Sequence, residues 1–148
     1  MRNPVVARAY ADISAAVAVL TGVVQEHGPG ALSSGGDPLQ ELSGDCLDIL
    51  TGAAGADAQL AGLKALTAAT FVATADAAAP PDAFVQAQEM AVTAEIACAM
   101  TIGGRAAGAF LAVSHALTTT LPLTLAALQA GSISWQHEIG RASCRERV

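Results

Sequence analysis

Leu121-Pro122-Leu123-Thr124-Leu125-Ala126-Ala127-Leu128-Gln129-Ala130-Gly131 reads as one complete helix. Proline in the first turn has no N–H to leave unpaired, and glycine just past the end suits a C-cap. Leu121, Leu125 and Leu128 recur at helical spacing and form one apolar face. Ser132-Ile133-Ser134-Trp135-Gln136-His137 then starts a new element, with Ser134 placed to cap a helix beginning at Trp135.

The same signals recur toward the N-terminus. Asn3-Pro4 is a cap followed by proline at the first helical position, and Val6, Tyr10, Ile13, Val17, Leu20 and Val24 follow at three- and four-residue spacing through Gln25. Gly28-Pro29-Gly30 ends that helix, and residues 28–36 read as a flexible loop. Asp37-Pro38-Leu39-Gln40 restarts a helix whose stripe is Leu39, Leu42, Cys46, Ile49 and Leu50. Gly52 and Gly55 predict its end or a kink, and Asp57 the cap of another helix facing inward through Leu60, Leu63, Leu66, Ala69 or Thr70, and Val72. Ala79-Pro80-Pro81 stops that helix, and Asp82 is placed to cap one running from Ala83 to about Met100. No segment alternates as a strand would. The pattern predicts an all-α, multi-helix, mostly antiparallel bundle-like domain.

Composition narrows the functions open to such a domain. The chain is acidic, with a net charge of −6, and residues 1–137 hold only Arg2, Arg8, Lys64 and Arg105 as basic side chains. Tight non-specific binding to nucleic acid needs more Lys and Arg than that, and anionic membrane surfaces are disfavoured for the same reason. Aromatic residues make up 3% of the chain, so the core must rest on small aliphatic contacts and the stability should be modest. Cys46 and Cys98 sit in apolar helical surroundings and are expected to be small buried residues rather than ligands or a disulfide. The first residues lack the apolar core of a signal peptide, and the uncharged run 106–136 is interrupted by His115, Thr118, Thr119, Thr120, Pro122 and Gln129. The expectation is a cytoplasmic protein without a membrane partner.

A helix-turn-helix-like corner is expected near 95–117. Ala97 falls where two helices would touch, Thr101 lies in the turn, and Ile102, Ala107 and Phe110 occupy core-facing positions. Arg105 would begin the second helix and is the candidate DNA contact. The turn's usual glycine is displaced to Gly103-Gly104, and the exposed positions of the second helix are mostly Ala, Gly and Ser, whereas base readout needs polar side chains. The plainer expectation for Arg105 is an ion pair with a carboxylate such as Glu95. His115 is expected to be a partly buried, hydrogen-bonded helix residue, and Trp135 a packing anchor for the 121–128 helix. Glu89 and Glu95 are six residues apart, which puts them off a common face and excludes a catalytic pair. His27, His115 and His137 have no metal-ligand spacing. No catalytic, cofactor-binding or metal-binding residues are expected here.

Glu95-Ile96-Ala97, Arg105-Ala106-Ala107, Leu111, Ala116-Leu117, Leu121-Pro122, Thr124 to Leu128, Ala130-Gly131, Ile133-Ser134-Trp135 and His137 together resemble the 13E12-repeat family. This is an actinobacterial helical domain of unknown function, number 222, that commonly precedes an HNH endonuclease module. The match covers roughly residues 89–137. The resemblance implies a non-catalytic N-terminal accessory domain of an HNH-type DNA-processing protein, with DNA met through the parent. Any divalent metal would belong to the nuclease module, where a histidine activates water and the metal stabilises charge on phosphate. The alternatives are a helix-turn-helix-like DNA-binding or regulatory module and a helical protein-interaction module that dimerises.

Ile139 to Val148 corresponds to ATC-GGA-AGA-GCG-TCG-TGT-AGG-GAA-AGA-GTG, which resembles a common short-read sequencing adapter. The expectation is a truncated N-terminal helical domain over 1–137 and a non-native, adapter-derived tail over 138–148. Arg141, Arg145, Arg147 and Cys144 then carry no functional meaning. The break would fall in the helix begun at Trp135, leaving Leu121, Leu125 and Leu128 partly uncovered and the domain prone to self-association.

Overall fold

A computed structural model describes residues 3–26, 38–82 and 84–135. The expected loop at 28–36, the cap Asp37, His27, His137, the 138–148 tail and Cys144 lie outside the described residues. Among those described, the chain is all-α, without strands, and its helix packing fits a bundle. The helices are α1 (Pro4–Glu26), α2 (Pro38–Ala78), α3 (Val85–Met100), α4 (Gly104–Thr119) and α5 (Pro122–Gln129). The chain divides into two units, Met1–Ala53 and Ala54–Val148.

In the first unit, α1 starts as its sequence predicts. The Asn3 Oδ1 accepts a hydrogen bond from the Val5 N–H at 2.9 Å, with Pro4 at the first helical position. The apolar stripe forms on one side, but α1 buries none of its residues. The start of α2 is also lightly covered: Leu42, Cys46 and Ile49 are half-buried, while Leu47 and Leu50 are exposed.

The break expected at Gly52 and Gly55, with a new cap at Asp57, does not occur, and α2 is continuous from Pro38 to Ala78. A helical glycine costs only about 1 kcal/mol relative to alanine, and Ala53, Ala54 and Ala56 surround these two with the strongest helix former.

The second unit is built on a face of α2 other than the leucine face. Ala58, Ala65 and Ala68 are buried, as is Gly62, whereas Leu63 and Leu66 are 48% and 42% exposed. The cause is the nearness of α5. A Cβ added at Gly62 would lie 3.1 Å from the Gln129 Cγ, 3.3 Å from the Gln129 nitrogen and 3.4 Å from the Leu128 Cβ. Gly55, Ala58, Gly62 and Ala65 follow at three- and four-residue spacing and make a smooth strip for α5 to lie on.

Leu117 of α4 and Leu128 of α5 are fully buried against Ala58 and Ala65, with Val113, Leu121, Leu125, Ile133 and Trp135 packed around them. Leu128 is therefore fully covered, contrary to expectation, whereas Leu121 and Leu125 are half-buried and so partly uncovered as expected. Trp135 is a packing anchor as predicted, its ring 5.9 Å from that of Phe110.

Gly131 closes α5 as the sequence indicates. Its φ is 71°, its N–H donates to the Leu128 carbonyl at 2.9 Å, and the Ser132 N–H donates to the Ala127 carbonyl at 2.9 Å, a Schellman closure. A Cβ there would stand 3.2 Å from the Gly55 carbonyl oxygen, so position 131 requires glycine for both its torsion and its clearance. At the start of α3 the cap differs from expectation. α3 begins at Val85 with Phe84 at the N-cap position and no side-chain cap, while Asp82 stays in the preceding turn.

Two glycines of one helix should respond in opposite directions. A Cβ at Gly52 meets nothing within 4 Å, so Gly52→Ala should stabilise the chain by about 0.5–1 kcal/mol. Gly62→Leu should destabilise it by about 1–3 kcal/mol by forcing α5 off α2. Urea denaturation followed by circular dichroism checks both signs.

Candidate functional site

The α3–α4 corner has the geometry the sequence predicts. The two helices meet at 103° across Thr101-Ile102-Gly103, within the range of helix-turn-helix corners. Ala107 is fully buried, and Ala97, Ile102 and Phe110 are half-buried, as core-facing positions should be. α3 ends in the same closure as α5. The Ile102 N–H donates to the Ala97 carbonyl at 3.0 Å and the Thr101 N–H to the Cys98 carbonyl at 3.2 Å. Here the left-handed residue is Thr101, with φ 55° and ψ 45°, a conformation that crowds a β-branched side chain.

Arg105 is exposed in the first turn of α4, and among the described residues it forms no ion pair with Glu95 or any other carboxylate. A cation there is placed unfavourably against the positive end of the helix dipole. The rest of the outward face is Ala106, Ala109, Ala112, His115 and Thr119, so its polar side chains are Arg105, His115 and, at the far end, Thr119. That is a sparse surface for phosphate anchoring and base readout.

His115 is exposed rather than partly buried. Its carbonyl accepts hydrogen bonds from the Thr118 and Thr119 hydroxyls at 3.1 and 2.7 Å. It lines a cleft of about 1060 Å³ between the end of α2, α3 and α4, with Asp76, Gln88, Glu89, Val92 and Thr118. Gln88 Nε2 bridges α3 to α2 by donating to the Ala75 carbonyl at 3.0 Å and the Asp76 Oδ1 at 3.2 Å. Thr93, Thr118 and Thr119 donate their hydroxyls to carbonyls of their own helices. Gln88, Asp76 and the three threonines thus serve the fold. Among the described residues, no three His, Cys, Asp or Glu side chains gather as a metal site would require.

Cys46 is half-buried and Cys98 exposed, both as free thiols, so the expected burial fails at Cys98. Sequence reasoning missed Ser114, which is fully buried in α4 with its hydroxyl donating to the Phe110 carbonyl at 2.8 Å. The signal was its spacing, since it lies four residues after Phe110 and three before Leu117, on the same face of α4 as Ala107.

The third feature is α1. Val6, Tyr10, Ile13, Val17, Leu20 and Val24 remain 40%, 45%, 42%, 58%, 43% and 42% exposed. By length and composition α1 could also cross a membrane. No family model matches the chain, and no curated protein or solved structure compared with it is similar.

Thr101→Gly should relieve the left-handed strain and stabilise the chain by about 0.5–1 kcal/mol, after allowance for glycine's greater entropy when unfolded. A rise of a few degrees in the melting temperature would register it; a fall would mean that the corner does not hold Thr101 in this conformation.

Proposed function

We propose that the chain is a non-catalytic helical accessory module of an HNH-endonuclease-type DNA-processing protein, acting by association with another helical surface. The observation that carries the association reading is α1, whose full-length apolar stripe has no buried member. An exposed contiguous apolar face of this kind marks an interaction surface. The parent's DNA-processing role rests on the 13E12-like residues between 89 and 137. The acidic, basic-poor composition supports a module that leaves DNA contact and any divalent metal to other parts of a cytoplasmic parent.

A second reading, a helix-turn-helix-like DNA-binding module, is favoured by the 103° corner and by Arg105, exposed at the start of α4 without an ion pair among the described residues. Fluorescence anisotropy of labelled duplex DNA with the full chain separates the two. The association reading expects no saturable binding tighter than about 100 μM at low salt. Saturable binding that weakens with added salt and with Arg105→Ala, while the helical spectrum is kept, would replace it with the DNA-binding reading. Plasmid incubated with the chain and Mg²⁺ or Mn²⁺ should remain uncut.

A further inference from the structure

We infer that the cleft between the end of α2, α3 and α4 is a binding site for a small organic cation with an apolar body, an ammonium group carried on an alkyl or aryl chain. The cleft lies within the second unit and depends neither on α1 nor on DNA. Its volume of about 1060 Å³ is at the upper end of the range for small-molecule sites, which are concave, mostly apolar and carry a few converging polar groups.

Val72 of α2, Val92 of α3 and Leu111 of α4 give the cleft apolar walls, with Val92 buried and the other two half-buried. The α4 wall stays open because glycine stands at 108, where an added Cβ would meet nothing within 4 Å. Water in this hollow finds no hydrogen-bonding side chain on those walls, so an apolar body that displaces it is favoured.

The polar groups select the sign of the ligand's charge. Asp76 and Glu89 bring carboxylates to the cleft and His115 an imidazole, whereas among the described residues no lysine or arginine lines it. Gln88 holds Asp76 in place by donating from Nε2 to its Oδ1 at 3.2 Å, while the same nitrogen is anchored on the Ala75 carbonyl at 3.0 Å. One carboxylate is therefore oriented before a ligand arrives, which lowers the entropy lost on binding. The Glu89 carboxylate and the His115 ring have no hydrogen-bond partner among the described residues. An ammonium supplies both the missing donors and the opposite charge. An anion would be repelled by the same pair of carboxylates.

Charge and apolar wall lie one helical turn apart. The Gln88 bonds bring the start of α3 alongside the end of α2, with Val72 one turn before Asp76 and Val92 one turn after Gln88. A turn rises about 5.4 Å, within reach of a short chain whose ammonium rests at the carboxylates. A hydrophilic polyamine would meet only the charges and a neutral hydrocarbon only the walls. A cation with an apolar body meets both.

Isothermal titration of the full chain with octylammonium chloride tests the proposal, with backbone amide chemical shifts to locate the probe. Saturable binding is expected with a dissociation constant on the order of 100 μM, in keeping with a ligand of roughly nine non-hydrogen atoms. Octanoate, of the same length and opposite charge, should bind at least about tenfold more weakly. Glu89→Gln should weaken octylammonium at least about threefold, the scale of one partly screened ion pair, whereas Asp57→Asn, on α2 outside the cleft, should leave it unchanged. Gly108→Leu should fill the hollow and abolish binding without lowering the melting temperature, because leucine is the better helix former and meets open space.

No saturable binding, octanoate binding as tightly as octylammonium, or equal effects of Glu89→Gln and Asp57→Asn would each overturn the proposal. So would full affinity in a folded Gly108→Leu; should that variant fail to fold, the two carboxamide variants decide. Shifts confined to α1 would assign the probe to its apolar stripe and remove the cleft as the site.

Discussion

The second unit depends on how closely α5 lies on α2. A Cβ at Gly62 would crowd Gln129 and the Leu128 Cβ at 3.1–3.4 Å, and Gly131 sits over the Gly55 carbonyl. This contact places Leu128 where it can be fully buried against Ala58 and Ala65, and with it Leu117. Leu121, Leu125, Ile133 and Trp135 then cover the edges. A bulky side chain on the strip would push α5 away and loosen the packing around the two largest fully buried apolar side chains together. The small residues act mainly through the separation they permit, since dispersion contacts are lost steeply over fractions of an ångström.

A core of this kind has a predictable weakness. Alanine and glycine bury little area, so the hydrophobic stabilisation, at about 25 cal/mol per Å², is modest for the number of residues ordered. Leu63 and Leu66, which could have supplied more, lie off the strip. Their exclusion follows from the same geometry, because a helix cannot present leucines and a close-approach strip on one face. Overpacking is therefore a greater hazard to this unit than loss of a methyl group.

Helix type and most helix ends were legible from the residues, because caps, prolines and glycines act locally. Asn3-Pro4, the Ala79-Pro80-Pro81 stop, Leu121-Pro122 and Gly131 all behave as their chemistry dictates. The readings of α2 failed where tertiary context decides. Gly52 and Gly55 carry a helix-breaking signal that flanking alanines outweigh, and the leucine face drew attention because bulk is the usual marker of burial. In a chain this rich in alanine, the strip of Gly55, Ala58, Gly62 and Ala65 is hidden among similar residues. Asp82 and Phe84 show the limit of cap reading, because the turn after Pro81 decides where α3 can start. The corner at Thr101 was legible in position, but its left-handed torsion was not, because the sequence places glycine two residues later. At the candidate site, Arg105 and His115 were identified as residues, while their exposure and lack of charged partners depend on packing.

The physics of the two candidate surfaces points in opposite directions. The outward face of α4 offers one guanidinium and one imidazole among alanines, so any attraction to phosphate would be electrostatic, and screening would weaken it within a Debye length of about 10 Å at 0.1 M salt. The apolar stripe of α1 has Arg8, Asp12 and Glu26 to its sides, so any association through it would be little affected by screening and favoured by salts that strengthen apolar burial. An acidic chain adds repulsion toward nucleic acid at α4. Charge and apolar surface thus support association and oppose tight DNA binding for the same reason.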